Sequence, residues 1–355
     1  MKLGIIGTHQ SGKTTLFNAL TSLNIDTLAH PKNNVNIGTV MVPDERMEKL
    51  IEIYTPKKIT YASCEFVDIV DSQNTTCKNE LGSQKLGHFR EVDVIIQIIR
   101  CFENPHLGII GISPIKEIEE ITLELILADI DVIQRKIERL QKQAKSGDIK
   151  IKEQLKILLG LKETLDKNIP LRNKKMTQIE NEIIRELQLL TTKKILYIAN
   201  IKEKDIPGDN FIEMIHKSIG ENIPVIAICA LIEADLVQLQ DEEKKEYMKE
   251  IGIEKSGLDK LINSCYSMFD LVTFFTCGQK EVKAYPIHQH TKAPLAAGKI
   301  HSDIERGFIR AEVMNYKDLI TFGSESKVKE NKLYRLEGKE YEVQDGDIFC
   351  FRFNV

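Results

Sequence analysis

Residues 2–15 have the sequence KLGIIGTHQSGKTT, and this stretch decides the fold. Its second part, Gly7-Thr8-His9-Gln10-Ser11-Gly12-Lys13-Thr14, fits the pattern G-x-x-x-x-G-K-S/T. The motif lies between an apolar segment that predicts a strand, Lys2–Ile6, and a helical pattern over Gly12–Leu20. Its glycines let the backbone wrap a phosphate, whose charge is met by backbone amides and by the helix N-terminus. We therefore predict a phosphate-binding loop (P-loop).

The same pattern assigns roles to individual side chains. Lys13 is expected to bridge the β- and γ-phosphates of a nucleotide, and the Thr14 hydroxyl to bind Mg²⁺. Asp68 closes the segment Glu65–Asp68 at the end of an apolar strand, where a carboxylate can hold the same Mg²⁺ through water. The predicted catalytic residues are therefore Lys13, Thr14 and Asp68, and the predicted metal ligands are Thr14 and Asp68.

Strand and helix patterns alternate over the first third of the chain and again near residue 200. Four more short apolar runs predict strands: Ser63–Val70, Val92–Ile99, Lys194–Ile198 and Ile223–Cys229. Strands separated by helical sequence indicate βαβ units and a mostly parallel sheet. The predicted fold class is α/β, with a P-loop nucleotide-binding domain over residues 1–270.

A long helical segment interrupts this pattern at about residues 118–190. Apolar residues spaced by three and four, from Leu123 to Leu140 and from Ile151 to Leu165, predict two amphipathic helices. The turn signal Ser146-Gly147-Asp148 between them predicts an antiparallel helical hairpin. Residues 131–180 contain 13 Lys and Arg against 7 Asp and Glu. This excess of positive charge fits either an ordinary solvated surface or an arm that touches phosphate-rich surfaces such as ribosomal RNA.

The C-terminal residues 271–355 differ in composition: short runs rich in β-branched and aromatic residues are separated by segments that contain glycine. The predicted strands are Leu271–Phe275, Glu281–Tyr285, Gly307–Val313, Lys339–Val343 and Ile348–Phe353. A segment of about 85 residues is large enough to form a separate domain.

The composition is that of an ordinary globular protein: of 355 residues, 29% are charged and 42% hydrophobic. The net charge of −4 is not that of a polycation that binds nucleic acid indiscriminately. No apolar run approaches the roughly 20 residues of a membrane-spanning helix, and the short apolar stretch at residues 1–15 is not expected to act as a secretory signal. Seven cysteines without C-x-x-C spacing indicate reduced thiols. We expect a cytoplasmic protein, without a DNA or membrane partner.

Residues Ala199–Glu203 follow a predicted strand, at the place where nucleotide-binding switches recognise the base. A GTPase has Asn-Lys-x-Asp here, and the Asp accepts two hydrogen bonds from guanine. Ile201 replaces this Lys, and Glu203, which is one methylene longer, replaces this Asp. Selectivity for guanine depends on the placement of these polar groups and should be lost. An Asn200 that caps the following helix is the alternative interpretation.

With these motifs together, the sequence resembles the Obg-like ATPase family, the YchF-type branch of the translation-factor-like P-loop NTPases. The resemblance covers essentially the whole chain. Besides the P-loop, the matching segments are Asn36–Gly38, Val42–Asp44, Arg100–Glu103, Thr122–Asp129, Leu189–Thr191, Asn200–Glu203, Cys229–Ala234, Phe274–Thr276, Thr291–Pro294, His301–Val313 and Gln344–Asp347. The resemblance implies a nucleotide-binding domain with an inserted helical arm, followed by a TGS domain, which is a small ubiquitin-like β-grasp.

The resemblance also implies a site, a cofactor and partners. The residues expected to bind the nucleotide are Gly7, Gln10, Ser11, Gly12, Lys13, Thr14, Thr15, Asn200, Ile201, Glu203 and Ala230. ATP with Mg²⁺ is the expected cofactor, with GTP less favoured, and the expected partner is the ribosome or its RNA. A monomer is favoured.

Several positions depart from the family's pattern in the switch segments. Asp71 stands where the family has a Gly that contacts the γ-phosphate, and it adds a negative charge there. Lys32 stands where a Thr is expected to complete the Mg²⁺ shell. His106 comes earlier than the family's candidate catalytic His, whose matched position is Ile109. The predicted activity is therefore slow ATP hydrolysis. A hydrolysis-deficient, nucleotide-gated binding protein and a GTPase are the alternatives.

Overall fold

The computed structural model describes residues 1–21, 35–69, 83–105, 108, 110–143 and 148–354. Its backbone contacts divide the chain into two compact units. The first contains Met1–Val40 and Glu65–Leu261, and the second contains Met41–Cys64 and Ile262–Val355. The boundary predicted near residue 270 assigns Met41–Cys64 to the nucleotide-binding domain, whereas the contacts group this segment with the C-terminal residues.

Strands and helices alternate along much of the described part of the chain. The strands are β1 (Lys2–Gly7), β2 (Val35–Met41), β3 (Lys58–Thr60), β4 (Ser63–Ile69), β5 (Val94–Arg100), β6 (Lys194–Asn200), β7 (Val225–Ile228), β8 (Leu271–Cys277), β9 (Glu281–His288), β10 (Phe308–Asn315), β11 (Arg335–Glu337) and β12 (Asp347–Phe353). The helices are α1 (Lys13–Thr21), α2 (Glu45–Tyr54), α3 (Ser83–Phe89), α4 (Pro114–Gln143), α5 (Ile149–Asp166), α6 (Gln178–Leu187), α7 (Asp209–Ile219), α8 (Ala230–Leu236), α9 (Asp241–Glu250), α10 (Gly257–Met268), α11 (Ala293–Gly298), α12 (Ser302–Arg306), α13 (Tyr316–Phe322) and α14 (Glu325–Glu330).

The sheet of the first unit has the strand order β2-β4-β1-β5-β6-β7. The pairs β1–β4, β1–β5, β5–β6 and β6–β7 are all parallel. Strands β1, β5 and β6 are buried along almost their whole length, as expected when helices cover both faces of a parallel sheet. The predicted α/β class is thereby confirmed. The chain crosses to opposite sides of β1 to form β4 and β5, and such a reversal places a ligand crevice at the carboxyl ends of these strands.

A helical hairpin of α4 and α5 extends this unit, as predicted. Helix α4 has 30 residues and is therefore about 45 Å long. The apolar stripes of both helices share one core, which includes Ile133, Leu140, Leu158 and Leu165. The structure adds α6, which contributes Ile183 and Ile184 to the same core. Residues 146–147 of the predicted turn lie outside the described residues.

The sheet of the second unit contains a β-grasp arrangement, β9-β8-β12-β10-β11. The hairpin β8–β9 is antiparallel, β12 lies parallel to β8 in the centre, and β10 pairs antiparallel with β12 and β11. Helices α11 and α12 connect β9 to β10. The core is aromatic: the Phe274 ring stacks on Tyr285 at 4.9 Å and meets Phe349 edge-on at 5.4 Å.

Two features of the second unit differ from the sequence predictions. The short strand β3 pairs in parallel with β9, which extends this sheet with a segment from the N-terminal third of the chain. Residues Lys339–Val343 do not form a strand. They make a turn with an isolated bridge between Glu342 and Lys292, and the backbone N–H of Val343 donates to the Thr291 carbonyl at 3.0 Å. The alternating apolar residues of this segment pack against the core from a loop.

Two further sequence expectations concern a membrane and the switch residues. Among the residues that the structure describes, no helix combines the length and apolarity needed to cross a membrane.

The four departures from the family pattern, Lys32, Asp71, His106 and Ile109, lie outside the described residues.

Candidate nucleotide-binding site

The P-loop connects the end of β1 to the start of α1, and two glycines allow its tight path. A Cβ on Gly7 would lie 2.6 Å from the carbonyl oxygen of Ile98 and 2.7 Å from Ser11 Oγ. Gly12 has φ +96°, and a Cβ there would collide with the side-chain amide of Asn200. Glycine is therefore required at both positions, by close approach at Gly7 and by close approach and conformation at Gly12.

Lys13 folds back over this loop. Its ammonium group donates to the carbonyl oxygens of Gly7 at 2.8 Å and of Thr8 at 2.6 Å, and the residue is buried. The neighbouring hydroxyl of Ser11 is also buried and has no hydrogen-bond partner in the part of the chain that the structure describes. A cation, a buried hydroxyl and the N-terminus of α1 thus lie within one short loop. This donor set fits the phosphates of a nucleotide.

Asn200 holds the P-loop from the end of β6. Its Nδ2 donates to the carbonyl oxygen of Ser11 at 2.9 Å, and its Oδ1 accepts the backbone N–H of Ala230 at 3.1 Å. Asn200 therefore links the loop to the first residue of α8. Asn200 does not cap α7, the next α-helix in the sequence, because its side-chain oxygen Oδ1 accepts the N–H of Ala230 in α8.

The predicted metal ligands lie at the same edge of the sheet. Asp68 is buried near the end of β4, where it pairs in register with Ile5 of the neighbouring β1. The side-chain amide of Asn36 is 3.5 Å from Asp68 Oδ2. Thr14 is half-buried in the first turn of α1. A hydroxyl and a carboxylate fit Mg²⁺, which usually takes one or two protein ligands and completes its shell with water and phosphate oxygens.

The other predicted site residues divide into a buried and an exposed group. Ile201 packs in the core of the first unit, and its backbone N–H donates to the Ile228 carbonyl at 2.9 Å. Glu203 is exposed, at the start of a short 3₁₀ helix, Glu203–Asp205. In the P-loop, Gln10 is exposed with φ 59°, and Thr15 is half-buried in α1. The side chain of Ile201 thus belongs to the core, and a polar contact with a base would have to come from elsewhere.

One buried residue at this site was missed by the sequence analysis. Glu117, in the first turn of α4, accepts the hydroxyl of Thr8 at 2.9 Å and the backbone N–H of Arg100 at 3.0 Å. An acidic residue in the first turn of a helix is common, because it complements the helix dipole. The sequence therefore contained no signal that would have distinguished Glu117.

Two cysteines lie close to the site, at the ends of β5 and β7. Burial raises the pKa of the Cys101 thiol to about 12. Burial also raises the pKa of Cys229, against the opposing effect of backbone N–H groups at the start of α8. Both thiols are therefore protonated at neutral pH, and neither is a thiolate nucleophile. The chemistry of the site depends on positioned charges and hydrogen bonds.

Comparison with known proteins gives consistent matches over the whole chain. Residues 271–354 match the family model YchF-GTPase_C, which is described as a protein of unknown function. The chain is 42% identical over 361 residues to the ribosome-binding ATPase YchF of Bacillus subtilis, covering 99% of each protein. It is 40% identical over 360 residues to the protein of the same name from Haemophilus influenzae, covering 100% of this chain and 99% of the relative. The solved structure of the Schizosaccharomyces pombe YchF GTPase superposes with a TM-score of 0.84 at 30% identity, covering 99% of this chain and 97% of that one.

Proposed function

The chain belongs to the YchF family, and from this membership we propose that it binds ATP with Mg²⁺ and hydrolyses it slowly, in association with ribosomes. The observation that carries the proposal is the P-loop itself. Its Lys13 ammonium lies over the loop, and Asn200 holds the loop through the Ser11 carbonyl. Relatives named as ribosome-binding ATPases support the choice of nucleotide and of partner.

Phosphoryl transfer depends chiefly on positioning and on neutralisation of charge. Lys13 would approach the β- and γ-phosphate oxygens in place of the loop carbonyls to which it now donates. Thr14 and Asp68 would hold Mg²⁺, which supplies further neutralisation of the phosphate charge. The buried hydroxyl of Ser11 and the amides of the loop complete the donors to phosphate.

The preference for ATP over GTP rests on Ile201 and Glu203. In proteins with the Asn-Lys-x-Asp motif, two N–H groups of guanine donate hydrogen bonds to the carboxylate of a fixed Asp. Here the carboxylate is on the longer and exposed Glu203, and the residue beside Asn200 is the buried Ile201. A site without well-placed acceptors gives guanine little advantage. The Schizosaccharomyces pombe relative is named a GTPase, so GTP is the second nucleotide to test.

The experiment that tests this function is single-turnover hydrolysis of ATP and of GTP in parallel. Each nucleotide is incubated with excess protein, with and without Mg²⁺ and with and without ribosomes. We expect Mg²⁺-dependent hydrolysis of ATP that is faster than that of GTP. Tight binding of ATP without turnover in any condition would identify a nucleotide-gated binding protein instead. Faster turnover of GTP would contradict the interpretation of Ile201 and Glu203.

Association with ribosomes is tested by sedimentation. Residues 131–180, which include the distal part of α4 and all of α5, contain 13 Lys and Arg against 7 Asp and Glu, and this local excess supports contact with ribosomal RNA. We expect the chain to sediment with ribosomes in the presence of ATP, and less so as salt is raised, since phosphate contacts weaken with ionic strength. A chain that stays in the supernatant at low salt, with or without nucleotide, would contradict this part of the proposal.

A further inference from the structure

Glu117 joins three parts of the first unit. Its Oε2 accepts the Thr8 hydroxyl of the P-loop and the Arg100 backbone N–H at the end of β5. Its Oε1 lies 3.1 Å from the Arg100 guanidinium, and its own backbone carbonyl accepts Gln97 Nε2 at 3.2 Å. The Glu117 side chain is almost fully buried. A buried carboxylate with charged and hydrogen-bonded partners is held in one geometry, and removal of a partner is costly.

The contact with Thr8 leads directly to the residue that is expected to meet the phosphates. Lys13 Nζ donates to the carbonyl oxygen of Thr8 at 2.6 Å, while the Thr8 hydroxyl donates to Glu117. When Lys13 turns toward phosphate oxygens, Thr8 loses or weakens the hydrogen bond that its carbonyl oxygen accepts from Lys13. Glu117 is the next group in this chain of contacts. Its interaction with the loop therefore differs between the two positions of Lys13, and such a difference is the requirement for coupling.

On its other side, Glu117 belongs to the helix that builds the arm. It lies in the first turn of α4, and the distal half of α4 packs against α5. Twelve residues further along α4, buried Asp129 fixes the helix to the rest of the unit by accepting the backbone N–H groups of Leu190 at 2.9 Å and Thr191 at 2.7 Å. Between these two polar attachments, Ile118, Ile121 and Leu125 pack in the core of the unit. A small displacement at Glu117 would therefore be carried along a continuous helix toward its distal half.

We propose that Glu117 is a positioning residue that couples the P-loop to the helical arm, so that phosphates bound at the loop change the state of the arm. The proposal rests on the ATP binding proposed above. It identifies the Thr8–Glu117 hydrogen bond as the contact between the nucleotide site and α4. It also predicts that a variant with this contact altered still binds ATP at saturation but no longer shows the response of the arm.

The test compares Glu117→Gln with wild type and with Glu119→Gln. Glu119 is exposed on the same helix, two residues away, and serves as the matched control. Glutamine at position 117 removes the charge opposite Arg100 and replaces one acceptor oxygen by a donor. Calorimetry measures the ATP affinity, and amide hydrogen exchange measures the protection of α4 and α5 with and without saturating ATP and Mg²⁺. Saturation is set separately for each variant from its own Kd.

In wild type and in Glu119→Gln, we expect saturating ATP to change the exchange rates in α4 and α5. In Glu117→Gln, we expect ATP affinity to fall about tenfold, a change of about 1.4 kcal/mol, and the response of the arm to be lost even at saturation. A purely structural role would lower the unfolding temperature and leave this response intact. An unchanged arm response in Glu117→Gln at saturation would overturn the proposal, as would a wild-type chain that binds ATP without any response in α4 and α5.

A second variant removes the Thr8–Glu117 hydrogen bond by a change in the P-loop. Thr8→Val removes only the hydroxyl that donates to Glu117, and it should also abolish the arm response. The double variant should weaken ATP binding by less than the product of the two single effects, because both changes break one contact. Fully multiplicative effects would contradict the coupling. If wild type itself bound no ATP, calorimetry would show this directly, and the proposed function would fail together with the inference.

Discussion

The side-chain amide of Asn200 donates to the backbone carbonyl of Ser11 at 2.9 Å, which joins residues 189 positions apart in the sequence. The same side chain accepts the N–H of Ala230 at 3.1 Å. Asn200 therefore fixes the P-loop relative to α8 before any base is bound. Asn200 thus has a structural role that does not depend on guanine recognition, in which Ile201 and Glu203 replace the usual Lys and Asp.

Replacement of Asn200 should consequently weaken binding of the phosphates. Asn200→Ala leaves the buried Ser11 carbonyl and the Ala230 N–H without their partner, at a cost of about 1–3 kcal/mol, or roughly 5- to 150-fold in ATP affinity. Asn210→Ala, on the exposed side of α7, is the control and should bind ATP like wild type. Calorimetric titration with ATP checks both. Equal affinities for Asn200→Ala and wild type would show that the loop keeps its shape without this contact.

Replacement of a glycine by alanine should change the stability of the chain in opposite directions at two positions, Gly12 and Gly160. Gly12→Ala puts a Cβ against the Asn200 amide at a residue with φ +96°, so we expect loss of ATP binding and a stability loss of about 1–3 kcal/mol. For Gly160, inside α5, no atom of a neighbouring residue in the described part of the chain lies within 4 Å of an added Cβ. Gly160→Ala should therefore stabilise the chain by about 0.5–1 kcal/mol and leave ATP binding unchanged. Urea unfolding and calorimetry measure the two effects, and a destabilised Gly160→Ala would be inconsistent with the described packing of α5.

The attachment of the arm depends on Asp129. This fully buried carboxylate accepts the backbone N–H groups of Leu190 and Thr191 and the Thr191 hydroxyl, and it lies 3.3 Å from the Arg90 guanidinium. Asp129→Ala leaves buried donors and a cation unpaired, so it should cost about 3 kcal/mol of stability. Asp131→Ala, an exposed position on the same helix, should cost far less. The urea midpoint of the first unit provides the measurement, and equal losses in the two variants would contradict this assignment.

Buried Glu233 predicts a pH dependence of stability. Burial raises its pKa above the ordinary carboxyl value of 4.5, and hydrogen bonds from the backbone of Gly257 and Leu258, together with Lys244, oppose the rise only in part. Because the pKa is higher in the folded state than in the unfolded one, the stabilising contribution is complete below 4.5 and declines as the pH rises through the raised value. Glu233→Gln does not titrate. It should therefore gain stability relative to wild type as the pH rises from 4.5 through the raised value.

Urea midpoints of both proteins across this range test the sign of the effect. Glu254→Gln, at an exposed position, is the control and should show no such trend. A constant difference between Glu233→Gln and wild type at all pH values would mean that Glu233 does not titrate differently in the folded chain.

Much of the fold followed from the sequence because local patterns and long-range packing agree there. The strands β1, β5 and β6 are predominantly apolar, and the P-loop motif lies between a strand and a helix as its mechanism requires. The helical hairpin was predicted for the same reason, since the apolar stripes of α4 and α5 form the core that they share.

The features that escaped prediction are those that depend on distant partners. Strand β3 has only three residues and is a strand because β9 lies beside it. Lys339–Val343 has alternating apolar residues but packs as a loop. At the site, the partners of Asn200 and Glu117 are far away in the sequence, at Ser11 and Thr8, so that no local pattern shows which atoms they bind. The sequence identified the loop that is proposed to bind the phosphates, and the structure identified the side chains that hold this loop.

The measurement that tests the central claim most directly is calorimetric titration of the wild-type chain and of Lys13→Ala with ATP and with GTP, each with Mg²⁺. We predict that wild type binds ATP more tightly than GTP. We also predict that loss of the Lys13 ammonium weakens ATP binding at least about tenfold, since charge-assisted hydrogen bonds to phosphate are removed. Equal ATP affinity in the two proteins, or tighter binding of GTP than of ATP by wild type, would contradict the account.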